Sequence, residues 1–307
     1  MDSSPFRSLH EEARLSEADE LLQIIGLRTV RGEVRAEKRR KYEQVFRLID
    51  EVIDLLGSPL PKRKLTILDC GCGKSYVSFA LNAYLTRERD RKCVVYGVDS
   101  DPERIRQAEA LRERAGFDNM ALRAEPVRAF RTPEPIDLLL SLHACDTATD
   151  EAIAKGLELG ARAMLIVPCC HRELLAQMHD HPLLGLSGHG MALARAADAL
   201  TDGLRALALE AAGYETRITE YVSPLSTPKN LLLRAARRGR RNRDSLARYH
   251  ELVRQFHVEP TLQRLVPWLA PRREPAPHAG GSEEARKREM RRKREKGREA
   301  HEETRKR

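Results

Sequence analysis

Two acids and two glycines mark the part of this 307-residue chain that is best suited to bind a ligand. An apolar run from Leu65 ends at Asp69, and Gly71 and Gly73 follow two residues apart. A helical pattern begins at Tyr76. Glycine lets the backbone approach a ligand closely, and the first turn of a helix offers unpaired N–H groups. The pattern predicts a buried strand, a tight turn and a helix start that hold a nucleotide-like molecule.

Three kinds of nucleotide-like ligand use such a turn. A phosphate-binding P-loop needs a glycine where this chain has Leu68, and a dinucleotide fingerprint needs a third glycine where it has Tyr76. The third ligand is S-adenosylmethionine (SAM), whose ammonium and sulfonium groups are cationic and give the carboxylate of Asp69 a partner. SAM is therefore favoured, with the P-loop and the dinucleotide site as alternatives.

A second acid supports the same ligand. The strand pattern that starts at Cys93 ends at Asp99, thirty residues after Asp69. A carboxylate at this position can accept hydrogen bonds from both ribose hydroxyls. Alternatively, an acid here caps the next helix, although Asp101 and Pro102 already predict that helix start. The predicted cofactor-binding residues at this stage are Asp69, Gly71, Gly73 and Asp99.

The fourth and fifth strand patterns are followed by groups that could do chemistry. Carboxyl ends of parallel strands meet at one edge of an α/β sheet, so these groups should lie together. His143 follows the fourth strand and could take a proton from a nitrogen or hydroxyl nucleophile. His143 and Asp146 are the first candidates for positioning the acceptor or removing its proton. The second candidates are Cys169, His171 and Lys229.

The cysteines near this edge leave two further alternatives open. A thiolate of Cys145 or Cys169 could add to a pyrimidine base as a nucleophile. Positions 143, 145 and 169–171 also offer enough Cys and His side chains for zinc, but no C-x2-C pair is present and adjacent cysteines suit a tetrahedral site poorly. We predict no metal site. The remaining cysteines are small enough to fill gaps behind the cofactor, namely Cys70, Cys72 and Cys170.

Composition limits the class of protein. Hydrophobic residues make up 41% of the chain, which is enough for a sizeable core. No run of eighteen apolar residues predicts a membrane span. The opening residues 1–5 lack the pattern of a signal peptide, and six cysteines in so long a chain do not suggest a disulfide framework, so a cytoplasmic location is expected. The net charge of +9 favours a polyanionic partner, but residues 282–307 contribute twelve basic and seven acidic side chains to it.

Apolar periodicity predicts the elements that position these residues. Helices are predicted over 9–25, 32–56 and 244–269. Strands and helices alternate between residues 61 and 237, which predicts an α/β, Rossmann-like sheet, mostly parallel, with a closing antiparallel hairpin. The predicted organisation is an N-terminal helical segment (1–60), the α/β domain (61–237), C-terminal helices (238–270), and a linker with a charged, disordered tail (271–307).

Two charged patterns have two interpretations each. Basic residues between Arg35 and Lys41 predict either a solvated helix face or a contact with substrate phosphate. A later helix carries Asp198, Asp202 and Arg205 near one face, together with Arg195. Intrahelical salt bridges or a polar stripe that faces the substrate would explain that spacing.

Four runs together resemble the methyltransferase-domain-32 family of class I SAM-dependent methyltransferases. They are Asp69–Ser75, Leu142–Asp150, Pro168–His171 and Thr227–Asn230, within a likeness that covers about residues 35–237. The run from His143 to Asp150 is the most specific part, whereas Ser75 stands where the family pattern often has a further glycine. The family includes bacterial enzymes and, more distantly, the eukaryotic methyltransferase-like protein 25. The resemblance implies methyl transfer with SAM as the cofactor.

The class I fold also suggests positions for further site residues. SAM would lie across the ends of the first two strands, within reach of His143. Glu125 follows the third strand, where a polar residue often meets the adenine amine. The loop before Asn230 would lie over the acceptor site, where Lys229 could hold a phosphate, although a hairpin turn explains the same residues.

The resemblance does not identify the acceptor. We expect RNA, either rRNA or tRNA, because the basic run Arg237–Arg241 and the charged tail follow the predicted sheet. A protein or a small molecule is an alternative acceptor. A SAM-binding scaffold that associates with RNA without catalysis is a further alternative.

Overall fold

A computed structural model gives the fold and describes residues 18–271 except 28, 30, 32, 35, 58, 143, 145, 179–188 and 223–229. Strands in this part of the chain are Leu65–Cys70 (β1), Cys93–Asp99 (β2), Met120–Ala124 (β3), Leu138–Leu142 (β4), Ala163–Val167 (β5), Tyr214–Glu220 (β6) and Leu231–Arg237 (β7). They form one sheet in the order β3-β2-β1-β4-β5-β7-β6. β7 is antiparallel to β5 and β6, and the other neighbours are parallel. The predicted class I Rossmann-like sheet with its closing hairpin is confirmed.

Helices cover both faces of the sheet. One face carries Ala18–Ile24 (α1), Ala36–Leu56 (α2), Tyr76–Ala83 (α3) and Pro102–Ala115 (α4). The other face carries Thr147–Glu158 (α5), Arg172–Gln177 (α6), Gly190–Ala211 (α7), Arg243–Phe256 (α8) and Thr261–Leu265 (α9). Because both faces are covered, the central strands are buried on both sides, as the continuous apolar run of β1 requires. No helix in the described part of the chain is long and apolar enough to span a membrane.

Two helix ends can be compared with the sequence-based predictions, namely the start of α4 and the end of α8. Asp101 caps α4 as predicted, because its carboxylate accepts from the backbone N–H groups of Glu103 and Arg104. Within the helical stretch expected over 244–269, the structure has two α-helices. α8 ends where His257 takes a left-handed conformation (φ +51°), and α9 begins only after Pro260. Residues 1–17 and 272–307, where the sequence predicts a longer first helix and a disordered tail, lie outside the described residues.

The sheet has a carboxyl edge, where β1, β2, β4 and β5 end, and an opposite amino edge. α2 reaches the carboxyl edge with its opening turns, because the Lys41 ammonium lies 3.7 Å from the ring centroid of Tyr76, the first residue of α3. The later half of α2 is fixed by Glu51 and Asp54, which pair with Arg234 of β7. α2 therefore presents its basic N-terminal part to the same edge as the glycine turn.

Candidate active site

The turn after β1 is built around the buried carboxylate of Asp69. Its Oδ2 accepts hydrogen bonds from the hydroxyls of Ser75 and Ser78, at 3.1 and 2.6 Å. Burial raises the pKa of Asp69 to about 6, and the nearby charge of Asp99 acts in the same direction, while the two hydroxyls oppose the shift. Asp69 is thus an acid whose ionised form is disfavoured by its surroundings.

Three residues of the turn have left-handed backbones. Gly71 and Gly73 have φ values of +70° and +54°, where glycine is unstrained. Ser75 has a φ of +55°, which explains why the family pattern often has glycine there. The bond from its hydroxyl to Asp69 offsets part of the backbone strain, because it satisfies a buried carboxylate. A Cβ added at Gly73 would meet no heavy atom within 4 Å, so the space above this residue is open to a ligand.

Asp99 organises the same turn from the end of β2. Its two carboxylate oxygens accept from the backbone N–H groups of Gly73 and Asp101, at 2.8 and 2.9 Å. Each oxygen retains a lone pair for a further donor. No Lys or Arg among the described residues pairs with Asp69 or Asp99. Two adjacent carboxylates without a protein cation suit a cationic ligand, and this electrostatic feature favours SAM over a phosphate-bearing nucleotide.

Thiols around the turn fill space rather than offer a nucleophile. Burial raises the pKa of Cys70 and of Cys72 well above the ordinary thiol range, and Asp69 adds to both shifts. A Cβ added at Gly97 would lie 2.5 Å from Leu122 Cδ2 and 3.1 Å from the Cys72 sulfur, so these two side chains fill the room that glycine leaves in β2. This packing agrees with the gap-filling role expected for Cys70 and Cys72.

The loop after β4 meets the turn and the loop after β5. A Cβ added at Gly71 would lie 3.8 Å from that of Ala144. The Cys169 sulfur lies 3.8 Å from the carbonyl oxygen of Ala144 and 3.7 Å from the Cys170 sulfur. The sequence-based expectation that strand ends one, four and five converge is therefore met by these residues. His143 and Cys145 lie outside the described residues.

Asp146 and His171 are both engaged in bonds within the protein. The Oδ1 of Asp146 accepts from the N–H groups of Arg172 and Glu173, at 3.0 and 3.1 Å, and so satisfies the start of α6. The ring of His171 is buried, with Nε2 2.8 Å from Asp202 Oδ1 and Nδ1 2.9 Å from Asp198 Oδ1. These contacts give both residues a role in holding the loops in place. Their proposed roles in the reaction have to be tested separately.

The structure says less about the two remaining candidate residues, Glu125 and Lys229. Glu125 is half-buried, and its nearest cation is Arg123, at 3.7 Å. Lys229 lies outside the described residues. Asn230, which follows it, donates from its side chain to the Val222 carbonyl at 3.0 Å, as expected of a residue that closes a hairpin. Among the described residues, no group of three or more His, Cys, Asp or Glu side chains is arranged to hold a metal ion.

Sequence reasoning missed an ion network that links these loops. Arg205 of α7 forms a bidentate pair with Asp150, the last residue of the family-specific run, at 3.0 and 2.9 Å. It also lies 3.3 Å from Asp202, which holds His171. The spacing of Asp202 and Arg205 on one helix face was the only signal in the sequence. Nothing in the sequence connects either residue with Asp150, because that contact spans 55 positions.

Replacement of Asp146 separates its capping role from a chemical one. We expect Asp146→Ala to lower the free energy of unfolding by about 1 kcal/mol, because two N–H groups lose their acceptor. Asp146→Asn should leave stability unchanged, since an amide oxygen can accept both bonds and the backbone strain is similar for Asp and Asn. Urea denaturation of the two variants measures the difference. If Asp146→Asn keeps full stability but loses methyl transfer, the carboxylate has a chemical role as well.

Comparison with known proteins agrees with this geometry. Residues 38–177 match the Methyltransf_32 family, which is described as a methyltransferase domain. No curated protein has a detectable match to the chain. Among solved structures, magnesium protoporphyrin IX methyltransferase from Synechocystis with bound SAM is 17% identical, with 73% of this chain and 92% of that chain covered and a TM-score of 0.42.

Two other solved structures show similar levels of likeness. An SAH-bound methyltransferase from Podospora anserina is 15% identical, with 72% and 88% of the two chains covered and a TM-score of 0.42. An rRNA methylase from Streptococcus thermophilus is 16% identical, with 61% and 93% covered and a TM-score of 0.40. Likeness at this level does not identify an acceptor. The family match includes the glycine turn and the runs after β4 and β5, and it identifies residues 38–177 as a methyltransferase domain.

Proposed function

We propose that this domain methylates RNA, with rRNA and tRNA as the first acceptors to test. The proposal is supported by three lysines beside the glycine turn: Lys38 and Lys41 of α2, and Lys74 of the turn itself. We call them the lysine group. RNA carries one negative charge per nucleotide, and lysines that contact phosphates supply affinity without regard to sequence.

The position of two of these lysines follows from the periodicity of α2. Val45, Leu48 and Val52 form the buried stripe of this helix. Lys41 precedes Val45 by four residues and Lys38 precedes it by seven, so both continue the same face of the helix. That face leaves the core at the carboxyl edge. Its lysines therefore point along the sheet towards the glycine turn.

The positive charge of the lysine group is not neutralised by any residue that the structure describes. Partial burial, with the charges of Lys38 and Lys74 as smaller causes, lowers the pKa of Lys41 to about 8. No carboxylate of the described residues forms an ion pair with any of the three lysines. A bound anion would relieve their mutual repulsion. SAM has a single carboxylate, whereas consecutive phosphates of RNA supply one charge for each lysine.

The arginine run that suggested RNA in the sequence lies elsewhere. Ala236 pairs with Ala163, the first residue of β5, so Arg237–Arg241 follows at the amino edge, away from the glycine turn. Its members also have partners: Arg238 pairs with Glu215 at 3.0 Å, and the Arg241 guanidinium lies 4.3 Å from the ring centroid of Trp268. The support for RNA therefore moves from this run to the lysine group.

We propose the following roles around SAM. Gly71 and Gly73 let the backbone approach its methionine part, and Asp69 faces its cationic groups. Asp99 uses its remaining lone pairs for the ribose, and Glu125 meets the adenine amine. Methyl transfer from a sulfonium depends mainly on alignment of the acceptor atom with the methyl group, so few chemical groups are needed. The candidates for them are His143, Asp146, Cys169, His171 and Lys229.

The test uses the full chain, tritiated SAM, and bulk rRNA and tRNA as acceptors. We expect methyl transfer to RNA, and its loss in the triple variant Lys38→Ala/Lys41→Ala/Lys74→Ala. Binding of a single-stranded RNA should weaken in that variant, and the slope of log affinity against log salt should become less steep by about 2. Calorimetric titration with SAM should give an affinity within about threefold of the wild type.

A triple variant at the amino edge is the matched control, because it removes the same charge. Arg238→Ala/Arg240→Ala/Arg241→Ala should keep both the affinity and the salt slope. Equal losses in the two triple variants would mean that RNA responds only to net charge. Methylation of a protein or small molecule with no transfer to RNA would overturn the proposed acceptor.

A further inference from the structure

We infer that Arg205 is a positioning residue for methyl transfer, which fixes the loops after β4 and β5 relative to each other at the carboxyl edge. It lies in α7, and only 2% of its surface is exposed. Its guanidinium donates to the Asp150 carboxylate and the Asp146 carbonyl, which belong to the loop after β4 and the helix start that follows it. It also donates to the Asp202 carboxylate, which contacts His171 in the loop after β5. We call this set of contacts the Arg205 clamp.

On the side of the first loop, the clamp holds both the helix start and the backbone before it. Nε and Nη2 of Arg205 donate to the two carboxylate oxygens of Asp150, in the first turn of α5. Nη2 also donates to the carbonyl oxygen of Asp146, at 2.9 Å. Asp146 has φ +53° and ψ −121°, a conformation that is costly for any residue except glycine. Such a backbone persists only where its surroundings fix it, and the bond from Arg205 to its carbonyl does so.

On the side of the second loop, the clamp acts by two routes. Nη1 of Arg205 lies 3.3 Å from Asp202 Oδ1, and the same oxygen lies 2.8 Å from Nε2 of His171. The second route runs through Asp146, whose carboxylate accepts from the N–H groups of Arg172 and Glu173. The backbone of the first loop and the start of α6 therefore move as one unit with Arg205.

Stability alone does not account for this arrangement. One arginine and two aspartates are taken out of water, and apolar side chains of similar volume often serve stability equally well. The clamp instead fixes the loops that flank the reacting groups. Ala144 lies in the first loop beside Gly71, and Cys169 of the second loop contacts the Ala144 carbonyl. A displacement of about 1 Å at such a place can reduce turnover by about 100-fold.

Arg205→Lys tests the inference, because a lysine keeps the charge but cannot reach three acceptors in a fixed fork. We expect the SAM affinity, measured by calorimetry, to stay within about twofold, since Asp69 and Asp99 do not touch the clamp. Methyl transfer to RNA at saturating SAM should fall by about 100-fold. Alkylation of Cys169 and Cys170 by iodoacetamide, followed by mass spectrometry, should become about tenfold faster, because the second loop opens more often. Alkylation of Cys72 should not change.

Arg63→Lys is the matched control. Arg63 also forms a bidentate pair with a buried carboxylate, that of Asp137, but at the amino edge. We expect a smaller drop in melting temperature, because Arg63 is partly exposed and Asp137 keeps two other partners, with turnover within about twofold of the wild type. If the two variants lose turnover in proportion to their loss of melting temperature, the role of Arg205 is only structural. Unchanged alkylation of Cys169 and Cys170 in Arg205→Lys overturns the inference even if RNA proves not to be the acceptor.

Discussion

Replacement of Arg205 by methionine is expected to lower the free energy of unfolding by about 3–5 kcal/mol. The substitution removes the cation from a site where the carboxylates of Asp150 and Asp202 are both buried. Burial of an unpaired carboxylate is far more costly than the loss of the pair itself. Asp202 keeps His171 as a partner, but Asp150 has no other donor among the described residues. Guanidinium chloride denaturation at pH 7.5 measures the change.

A second substitution separates the two contributions. In the Arg205→Met background, Asp150→Asn should recover part of the loss, because a neutral amide is easier to bury than a carboxylate. The same Asp150→Asn change in the wild-type chain should be destabilising, since it weakens a bidentate bond. A double-mutant cycle of these four proteins gives the coupling energy. Additive effects would mean that the two side chains do not form the pair in solution.

The exposed counterpart of this pair should respond much less. The Arg63 side chain is 42% exposed, and its partner Asp137 also accepts from the Thr66 backbone and pairs with Arg162. Removal of Arg63 leaves Asp137 buried but with two partners, so we attribute only about 1 kcal/mol to it. The contrast between Arg205 and Arg63 therefore lies in Asp150, whose carboxylate has no donor other than Arg205 among the described residues.

The sheet could be predicted from sequence because its signals are local. Each central strand is a short, mostly apolar run, and the acids that the following turn requires stand at the end of β2 and one residue before the end of β1. The cap of α4 was predicted for the same reason, since Asp101 and Pro102 act within one helical turn. The boundary between the C-terminal helices could not be placed because a left-handed residue at His257 has no strong sequence signal. Pro260 marks only the start of α9.

The ion network could not be predicted because its partners are far apart in the chain. Asp202 and Arg205 were recognised as a pair three residues apart on one helix, and that pair exists. The stronger interaction, from Arg205 to Asp150, depends on how α7 packs beside α5, which no local pattern specifies. For the same reason, the run from His143 to Asp150 was interpreted through chemistry alone. The structure adds a positional role for Asp146 and Asp150 within it.

The sequence predicted the presence of basic runs correctly, but it did not predict at which edge of the sheet each run lies. For the basic residues from Arg35 to Lys41, the sequence predicted either a solvated helix face or a contact with phosphate. For RNA binding, it favoured Arg237–Arg241. The direction of β7 puts that second run at the amino edge, while the packing of α2 brings Lys38 and Lys41 beside Lys74. Strand direction decides which edge a charged run occupies, and a single sequence shows direction only after the topology is known.

Asp69→Asn is expected to raise stability at pH 8 while it weakens SAM binding. The pKa of Asp69 is about 6 in the folded protein and about 3.8 when the side chain is in water, so the folded state favours the protonated acid. Its contribution to stability is fully present below pH 3.8 and is lost as the pH rises through 6, with a total loss of about 3 kcal/mol. Asn cannot ionise, and its amide oxygen can accept both bonds from Ser75 and Ser78.

Urea denaturation at pH 5 and pH 8 tests this directly. We expect the Asn variant to exceed the wild type by more at pH 8 than at pH 5, because ionisation of Asp69 in the folded protein is complete only at the higher pH. Ser78→Ala is the opposing control, since it removes a hydroxyl that stabilises the charged form and should enlarge the loss of stability between the two pH values. A variant less stable than the wild type at pH 8 would contradict the raised pKa.

Calorimetric titration with SAM completes the test. We expect the affinity of Asp69→Asn at pH 8 to fall by about 10- to 100-fold, because a desolvated carboxylate that faces a cation is lost. Ionised Asp69 would destabilise the protein without cofactor but would help to bind a cationic cofactor, which is a trade-off between stability and function. Binding of the cofactor would then restore the lost stability. Unchanged SAM affinity together with raised stability would show that Asp69 only shapes the turn. The electrostatic preference for a cationic ligand would then rest on Asp99.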